Sequence, residues 1–244
     1  DLLLQIASDN PLTLAHAQRM LLKDSRAFGA PAWVQPGFRT AYGTKKSGTT
    51  ERNLFGHLDG TSNMTPGSDD FASVVWQGPT PNPEWMAGGT GFVVRRIAMD
   101  LDGWDLIDKA SREESIGRKF SNGAPLTGTE EFDEPNFEAT NEYGFPVIAP
   151  YAHIRRTRTD NPHERMFRRF YNYDEAPTGE SVSKAGMIFG AFQYNVTTQY
   201  VPIQKQLDEL DLLNTWISHI GSAVFAIPPG IQEGQFIGQS LFEA

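Results

Sequence analysis

Five histidines and the absence of cysteine limit the metal and nucleophile chemistry open to this sequence of 244 residues. Without cysteine the chain can form no disulfide, bind no iron–sulfur cluster and offer no thiolate to a metal or a substrate. No two histidines have the HExxH spacing of zinc proteases, and a structural zinc site is not expected. The remaining candidates are single imidazoles and carboxylates.

His153 differs from the other histidines in its neighbours. It follows the proline-containing segment 148–150 and precedes an arginine island in a chain of net charge −9. A neutral imidazole can bind a haem iron axially, and nearby arginines can pair with haem propionates or an anionic substrate. The alternative is a solvated basic loop. The arginine island consists of Arg155, Arg156, Arg158, Arg165, Arg168 and Arg169.

The other histidines have simpler interpretations. We expect His16 on the surface or boundary of a helix and His163 in an exposed polar loop. His219 is predicted to be a buried, hydrogen-bonded residue at the end of an apolar helix.

Asp59 lies in the segment Gly56-His57-Leu58-Asp59-Gly60-Thr61. An Asp-Gly pair is most often a turn. In a functional interpretation, glycine lets the backbone approach a large planar cofactor while Asp59 points into the pocket as a proton acceptor. The sequence has no G-x-G-x-x-G, P-loop or G-x-S-x-G pattern, which disfavours dinucleotide, ATP and α/β-hydrolase sites.

Composition indicates a folded protein, with 39% hydrophobic and 21% charged residues. No apolar run is long enough to cross a bilayer, and the net charge of −9 argues against a nucleic-acid partner. The first residues show no signal peptide and are typical of the middle of a strand. This start indicates that an upstream part was removed or is supplied as a separate chain.

Periodicity and turn residues predict an α+β ferredoxin-like arrangement. Before residue 90 the pattern predicts two early strands, a helix capped by Asn10, a turn-rich segment, a further strand and a linker. These are residues 2–7 and part of 29–52 (strands), 11–24, 53–63, 71–76 and 78–89. After residue 90 it predicts alternating strands and helices around a long irregular excursion. These are residues 92–99, 102–120, 121–150 (the excursion), 168–173, 187–194, 196–219 and 223–227.

Short segments spread over the chain resemble, in the same order, those of the dye-decolourising haem peroxidase family. Residues 53–63 are similar to its G-x-x-D-G-T signature, and 114–118 to its IGR element. Residues 168–173 resemble its arginine strand, with Phe170 where glycine is usual. The other similar segments are 93–101, 152–155, 192–193, 201–204 and 225–230.

The resemblance implies tandem ferredoxin-like domains around one haem b per complete protein, with the first domain incomplete here. It places that part at 1–77, a linker at 78–89 and the haem domain at 90–244. His153 would be the proximal iron ligand, and Asp59 and Arg168 the distal acid–base and charge-stabilising groups. The predicted cofactor contacts are Arg118, Arg155, Gly60 and Thr61.

Relatives place a carboxylate near position 215 that hydrogen-bonds the proximal histidine. Thr215 cannot supply its charge, so the sequence leaves open whether His153 has a carboxylate partner that raises its basicity as a ligand. The excursion resembles an exported subgroup related to iron uptake, which implies a location outside the cytoplasm. The resemblance also implies a homo-oligomer.

The resulting hypothesis is a peroxidase that reduces hydrogen peroxide and oxidises bulky aromatic donors. Asp59 would move the proton and Arg168 would stabilise charge. An ordinary aspartate titrates near pH ~4, which predicts an acidic optimum. Surface aromatics could relay electrons, although core packing is the simpler role for them. These are Trp104, Trp216, Tyr171 and Tyr173.

Three alternatives stay open. A haem-binding or haem-iron-handling protein would need His153 and the arginines but not the pair Asp59 and Arg168. A chlorite dismutase-type domain is disfavoured by the G-x-x-D-G signature. A purely structural domain would bind no haem.

Overall fold

The computed structural model describes residues 1–46, 48–78 and 83–243 and divides the chain into two compact units, Asp1–Thr49 and Thr50–Ala244. The predicted linker at 78–89 falls partly on residues 79–82, which lie outside the described residues. Packing groups residues 50–77 with the second unit. The domain boundary at 78–89 stays a prediction.

The first unit is built on one helix, α1 (Pro11–Asp24), at the predicted position. Asn10 caps it, because its side-chain oxygen accepts hydrogen bonds from the backbone N–H groups of Leu12 and Thr13 at 2.9 and 3.3 Å. The strand predicted at 2–7 is wrong, and among the described residues of 29–52 only Glu51–Arg52, in the second unit, form a strand. Among the described residues of this unit, no strand runs beside these segments to accept and donate the hydrogen bonds of a sheet.

The second unit contains a two-stranded and a four-stranded antiparallel sheet. The larger sheet has the strand order β4-β5-β3-β6, so β4 and β6 are its edges. In chain order its strands are joined as β-α-β-β-α-β, which is the ferredoxin-like arrangement that the sequence predicted. The strands are β1 (Glu51–Arg52), β2 (Leu58–Asp59), β3 (Thr90–Met99), β4 (Phe167–Glu175), β5 (Lys184–Gln193) and β6 (Ile217–Ile227).

Short helices and turns connect these strands. The excursion at 121–150 is irregular as predicted, with turns and isolated bridges but no helix or strand among its described residues. The helices are α2 (Asp69–Val75), α3 (Leu101–Asp105), α4 (Lys109–Ile116), α5 (His153–Arg156), α6 (Val201–Leu210) and α7 (Gln239–Phe242). Shorter 3-10 or π turns cover Ser25–Ala27, Glu84–Met86, Val196–Tyr200 and Leu212–Thr215.

Alternation along the strands gives the four-stranded sheet two apolar faces. On one face Phe170 and Met187 join the main core, which is centred on Trp104. On the other face Phe167 and Phe192 pack against residues that include Val75 of α2. Successive strand residues point to opposite faces, so both layers follow from one alternating pattern.

The strand predicted at 71–76 is wrong, because residues 71–75 belong to α2 and Trp76 is the residue that ends it. The hydroxyl of Ser68 accepts the backbone N–H of Phe71 at 3.1 Å and caps the helix. Asp69 and Asp70 lie in the first turn, where carboxylates favour the helix dipole. These start signals outweigh the strand preference of the valines that follow.

The helix predicted over 196–219 is correct up to the turn at 212–215, but the last residues belong to β6. Ile217 pairs with Met99 of β3, so sheet hydrogen bonds replace helical ones there. His219 therefore lies on an edge strand and is exposed, not buried at a helix end. His16 and His163 are exposed as predicted.

Across the described residues, no helix combines the length and the apolar composition needed to cross a membrane.

Gly117 ends α4 and sits against α5, the helix that carries His153. Its φ of +88° is one that other residues rarely adopt, and a Cβ there would lie 2.7 Å from Ile154 Cγ1. Gly144 has a similar φ of +82° but open space around it.

We predict that Gly117→Ala destabilises the protein by about 1–3 kcal/mol more than Gly144→Ala. Both variants bear the cost of a left-handed residue, ~1–2 kcal/mol, but only the first also crowds Ile154. Denaturant unfolding of the two variants measures the difference. Equal losses of stability in the two variants would show that α5 moves away from the added methyl group at no cost.

Candidate functional site

Asp59 and Arg168 come together although they are far apart in the sequence. Asp59 ends β2, and Arg168 is the second residue of the edge strand β4. Their Oδ1 and Nη1 atoms are 3.4 Å apart, and the two side chains are 17% and 30% exposed. An acid and a guanidinium thus lie together in one partly buried site. The sequence predicted both groups for one pocket, and the structure places them side by side.

The loop that carries Asp59 is anchored by its own aromatic and glycine residues. Phe55 is buried in the main core. Gly56, with a φ of +83°, packs so tightly on the ring of Phe120 that a side chain would overlap it. Arg52 donates through Nη1 to the carbonyl oxygens of Gly56 and Phe120. This part of the G-x-x-D-G loop therefore holds the backbone that leads to Asp59.

His153 begins α5, and its ring is held by a carboxylate. Nδ1 lies 2.6 Å from Oδ2 of Asp211, which is only 5% exposed. The other oxygen of Asp211 accepts the backbone N–H of Leu213 at 3.0 Å. The backbone N–H of Leu212 also donates to the Tyr151 carbonyl at 3.0 Å, which ties this turn to the start of α5. Both carboxylate oxygens are therefore bonded, and the imidazole orientation is fixed.

The sequence left open whether His153 has a carboxylate partner, and the structure provides one. Asp211, four residues before Thr215, supplies the group, whereas Thr215 is exposed. Asp211 was missed because it separates α6 from the turn at 212–215, where aspartate is an ordinary capping residue. The available signal was that it is the carboxylate nearest in sequence to the expected position.

The arginines predicted to contact propionates also hold the excursion. Arg118 is buried, and its Nη1 donates to the carbonyl oxygens of Gly123 and Glu131. Burial lowers the pKa of Arg118; the Glu131 carboxylate opposes this effect, and the Arg168 guanidinium adds to it. Arg118 thus lies in the same electrostatic environment as Arg168.

Arg155 also holds the excursion, through residues nearer the C-terminal end of that segment. Its Nη1 donates to the carbonyl oxygens of Phe137 and Ile148 at 2.8 and 3.1 Å. For Arg118 and Arg155 alike, contact with a propionate stays a prediction.

Gly60 and Thr61 complete the loop after Asp59. Gly60 has a φ of +108°, which allows the chain to turn directly after the carboxylate. The Thr61 hydroxyl donates to Oε1 of Glu131 at 2.9 Å, so the loop is also fastened to the excursion. Their predicted contact with a cofactor stays a prediction.

The residues present fit a haem. The hydrogen bond to Asp211 occupies Nδ1 of His153, so Nε2 is the nitrogen through which the ring can bind iron. The His153 side chain is 25% exposed and thus accessible to a ligand. A carboxylate on the second nitrogen is the usual support for a metal-binding imidazole.

Among the aromatic residues considered as electron relays, core packing is evident for Trp104 and Tyr173, which are 1% and 3% exposed. The Trp104 ring contacts that of Trp216 edge-on, with centroids 5.1 Å apart. Tyr171 is half-buried. A relay role for any of them stays a prediction.

His57 is a buried residue that sequence reasoning did not single out. It is 2% exposed, its ring lies edge-on to Phe120 at 4.9 Å, and neither ring nitrogen has a hydrogen-bond partner. Burial, with smaller contributions from the charges of Arg52 and Arg112, lowers the pKa of His57 to about 4. The ring is therefore neutral at pH 7.

Comparisons with known proteins place this geometry in context. Residues 50–232 match the family model for the C-terminal part of Dyp-type peroxidases. A dye-decolorizing peroxidase of Thermobifida fusca is 39% identical over 100% of this chain and 57% of its own length. A deferrochelatase of Yersinia pestis is 30% identical over the same shares. The chain thus spans little more than half the length of these relatives.

Solved structures show the same fold. A DyP-type peroxidase from Cellulomonas bogoriensis superposes with a TM-score of 0.92 at 46% identity, covering 98% of this chain and 65% of that one. Ferric DtpA from Streptomyces lividans gives a TM-score of 0.92 at 37% identity, with the same coverage.

We predict that acidification destabilises the protein through His57. An unfolded histidine takes up its proton near pH 6.5, whereas the buried ring resists protonation until pH 4. The free energy of unfolding should therefore fall by about 3 kcal/mol between pH 7 and pH 4, from 1.36 kcal/mol per pKa unit. Denaturant unfolding at a series of pH values measures this loss.

His57→Phe should remove this component of the pH dependence, because phenylalanine fills the same apolar site without a proton. His16→Phe, at an exposed position, is the control and should retain it. The interpretation fails if His57→Phe loses as much stability on acidification as the unmodified protein.

We also predict that Asp211→Asn weakens haem binding about 10–100-fold, because it removes the charge that supports His153. Titration of the apoprotein with hemin, followed by absorbance, measures the affinity. Thr215→Val is the control and should bind hemin normally. If Thr215→Val weakened hemin binding and Asp211→Asn did not, Asp211 would not be the group that supports His153.

Proposed function

This chain belongs to the Dyp-type peroxidase family, and we propose that the whole protein is a haem peroxidase that reduces hydrogen peroxide and oxidises bulky aromatic donors by one-electron steps. The observation that carries the proposal is the contact between Asp59 and Arg168. A protein that only carries haem has no need of an acid and a guanidinium side by side.

We assign one haem b to the complete protein, bound through Nε2 of His153. Haem, when bound, supplies a redox-active iron that can take two oxidising equivalents from peroxide and return them singly to donors. Asp211 holds the imidazole and increases its basicity as a ligand. Arg118 and Arg155 are the proposed propionate contacts, in addition to their bonds to the excursion.

Asp59 and Arg168 divide the proton and charge work of peroxide cleavage. The Asp59 carboxylate accepts the proton of one peroxide oxygen and returns it to the other, which leaves as water. The Arg168 guanidinium stabilises the negative charge that develops as the O–O bond breaks. Their partial exposure, 17% and 30%, leaves both groups accessible to a small substrate.

A second candidate is a haem-iron-handling protein without peroxidase turnover. It is favoured by relatives named deferrochelatase, which match the whole chain at 30% identity. Such a role would use His153 and Asp211 but would be insensitive to Asp59 and Arg168. Export from the cytoplasm and a homo-oligomer belong to the proposal as implications of the family resemblance.

We expect Asp59→Asn to slow the reaction of the haem-loaded protein with hydrogen peroxide about 10²–10⁴-fold, the usual contribution of general acid–base catalysis. The double variant with Arg168→Leu should lose at least as much. Stopped-flow absorbance measures the rate constant, and the Soret band of the resting protein shows that haem is still bound. His153→Ala, by contrast, should weaken the haem complex itself.

Arg169→Leu is the matched control, because Arg169 is the exposed neighbour of Arg168 on the same strand and bonds Tyr171 instead. It should react at the normal rate. If the double variant keeps the normal rate while retaining haem, Asp59 and Arg168 are not the groups that cleave peroxide, and the proposal loses the observation that carries it. If the unmodified haem-loaded protein does not react with peroxide at all, the haem-iron-handling role becomes the better one.

A further inference from the structure

The side chain of Asn63 makes a two-way hydrogen bond with the backbone of Arg168. Its Nδ2 donates to the Arg168 carbonyl at 2.7 Å, and its Oδ1 accepts the Arg168 N–H at 3.0 Å. The two residues are separated by 105 positions in the sequence. This contact joins the loop that carries Asp59 to the strand that carries Arg168.

The bond pair imitates a neighbouring strand. Because β4 is an edge of the sheet, backbone groups on its outer side have no ladder partner in that sheet. The carboxamide of Asn63 presents a donor and an acceptor side by side, as an adjacent strand would. It therefore fixes where β4 lies relative to the loop.

The distance from Asn63 to Asp59 is fixed by a tight turn. The backbone N–H of Asn63 donates to the carbonyl of Gly60 at 2.9 Å, and Gly60 follows Asp59 directly. The Asp59 carboxylate, the turn, the Asn63 amide and the Arg168 residue thus form a closed ring of contacts. Any change in the Asn63 bonds shifts one side of that ring against the other.

The side-chain ion pair alone is too weak to set this geometry. At 3.4 Å and partly exposed, a carboxylate and an arginine typically contribute little to stability. The side chain of Arg168 is long and has many rotamers, so the ion pair does not fix the position of the Arg168 backbone. Another contact must hold that backbone. Asn53 assists only weakly, since its Nδ2 lies 3.5 Å from Oδ2 of Asp59.

We propose that Asn63 is a positioning residue, which sets the separation of Asp59 and Arg168 by holding the Arg168 backbone. The proposal rests on the proposed function, because the two groups it aligns are those assigned to peroxide cleavage. Asn63 itself does not touch the reacting atoms. It acts through Arg168, and its effect should appear wherever the distal pair contacts a ligand.

Two variants and one control test the proposal, in the haem-loaded protein for the reactions with ligands and in the apoprotein for hydrogen exchange. Asn63→Ala removes both bonds. Asn63→Asp keeps the shape and the acceptor but turns the donor into an acceptor that faces the Arg168 carbonyl. Asn141→Ala is the control, because Asn141 Oδ1 also accepts two backbone N–H groups, those of Tyr143 and Phe145 at 3.0 Å, in an exposed part of the excursion.

Three readouts separate positioning from simple stabilisation: the rate constant with hydrogen peroxide, the affinity for cyanide, and hydrogen exchange at the Arg168 amide of the apoprotein. We expect both Asn63 variants to lower the rate constant about 10–100-fold, the effect of a displacement near 1 Å. Cyanide should bind about 10-fold more weakly and the amide should exchange faster, while hemin affinity stays normal. Asn141→Ala should lower the thermal stability without changing the three readouts.

Normal rate constants and cyanide affinities in both variants, with only a stability loss like that of Asn141→Ala, would overturn the proposal. Should the unmodified haem-loaded protein fail to react with peroxide, the proposed function falls. Cyanide affinity and amide exchange would then still decide whether Asn63 holds Arg168.

Discussion

The partly buried hydrogen bond between His153 and Asp211 is the interaction on which the rest of the site depends. A carboxylate that is 5% exposed is costly unless its oxygens are bonded, and here each oxygen has a partner. Rotation of the imidazole would leave a buried charge without its main contact. The end of α6, the following turn and the start of α5 are therefore kept in one arrangement, with one ring nitrogen left for a metal.

Strand periodicity and local turn residues made much of the fold predictable. Along β4, Phe167 and Arg168 point to opposite faces of the sheet, and Phe170 shares the face of Arg168. The glycines on either side of Asp59 indicated a loop whose backbone approaches neighbouring residues closely. Gly56 does so against the ring of Phe120. These signals are local and marked only the loop and the strand. That Asp59 and Arg168 would lie together was implied by the family resemblance, and the structure places them 3.4 Å apart.

Contacts between distant segments were not predictable in this way. Asp211 has the local signature of a capping residue, and only the folded chain shows that its second oxygen meets His153. His219 was misplaced because pairing with β3 extends a strand into an apparently helical segment. Residues 71–76 became a helix because the cap at Ser68 outweighed the strand preference of two valines. Contacts with distant segments decided the first two outcomes, whereas a nearby cap decided the third.

The hydrogen bonds of the Asn63 amide to β4 also affect how other chains can pair with this protein. An open sheet edge is a template onto which a foreign strand can add, and many proteins protect such edges. At Arg168 both outward backbone groups are already bonded to a side chain. An intruding strand would first have to displace that amide, so the edge beside the acid–guanidinium pair is protected from β-aggregation.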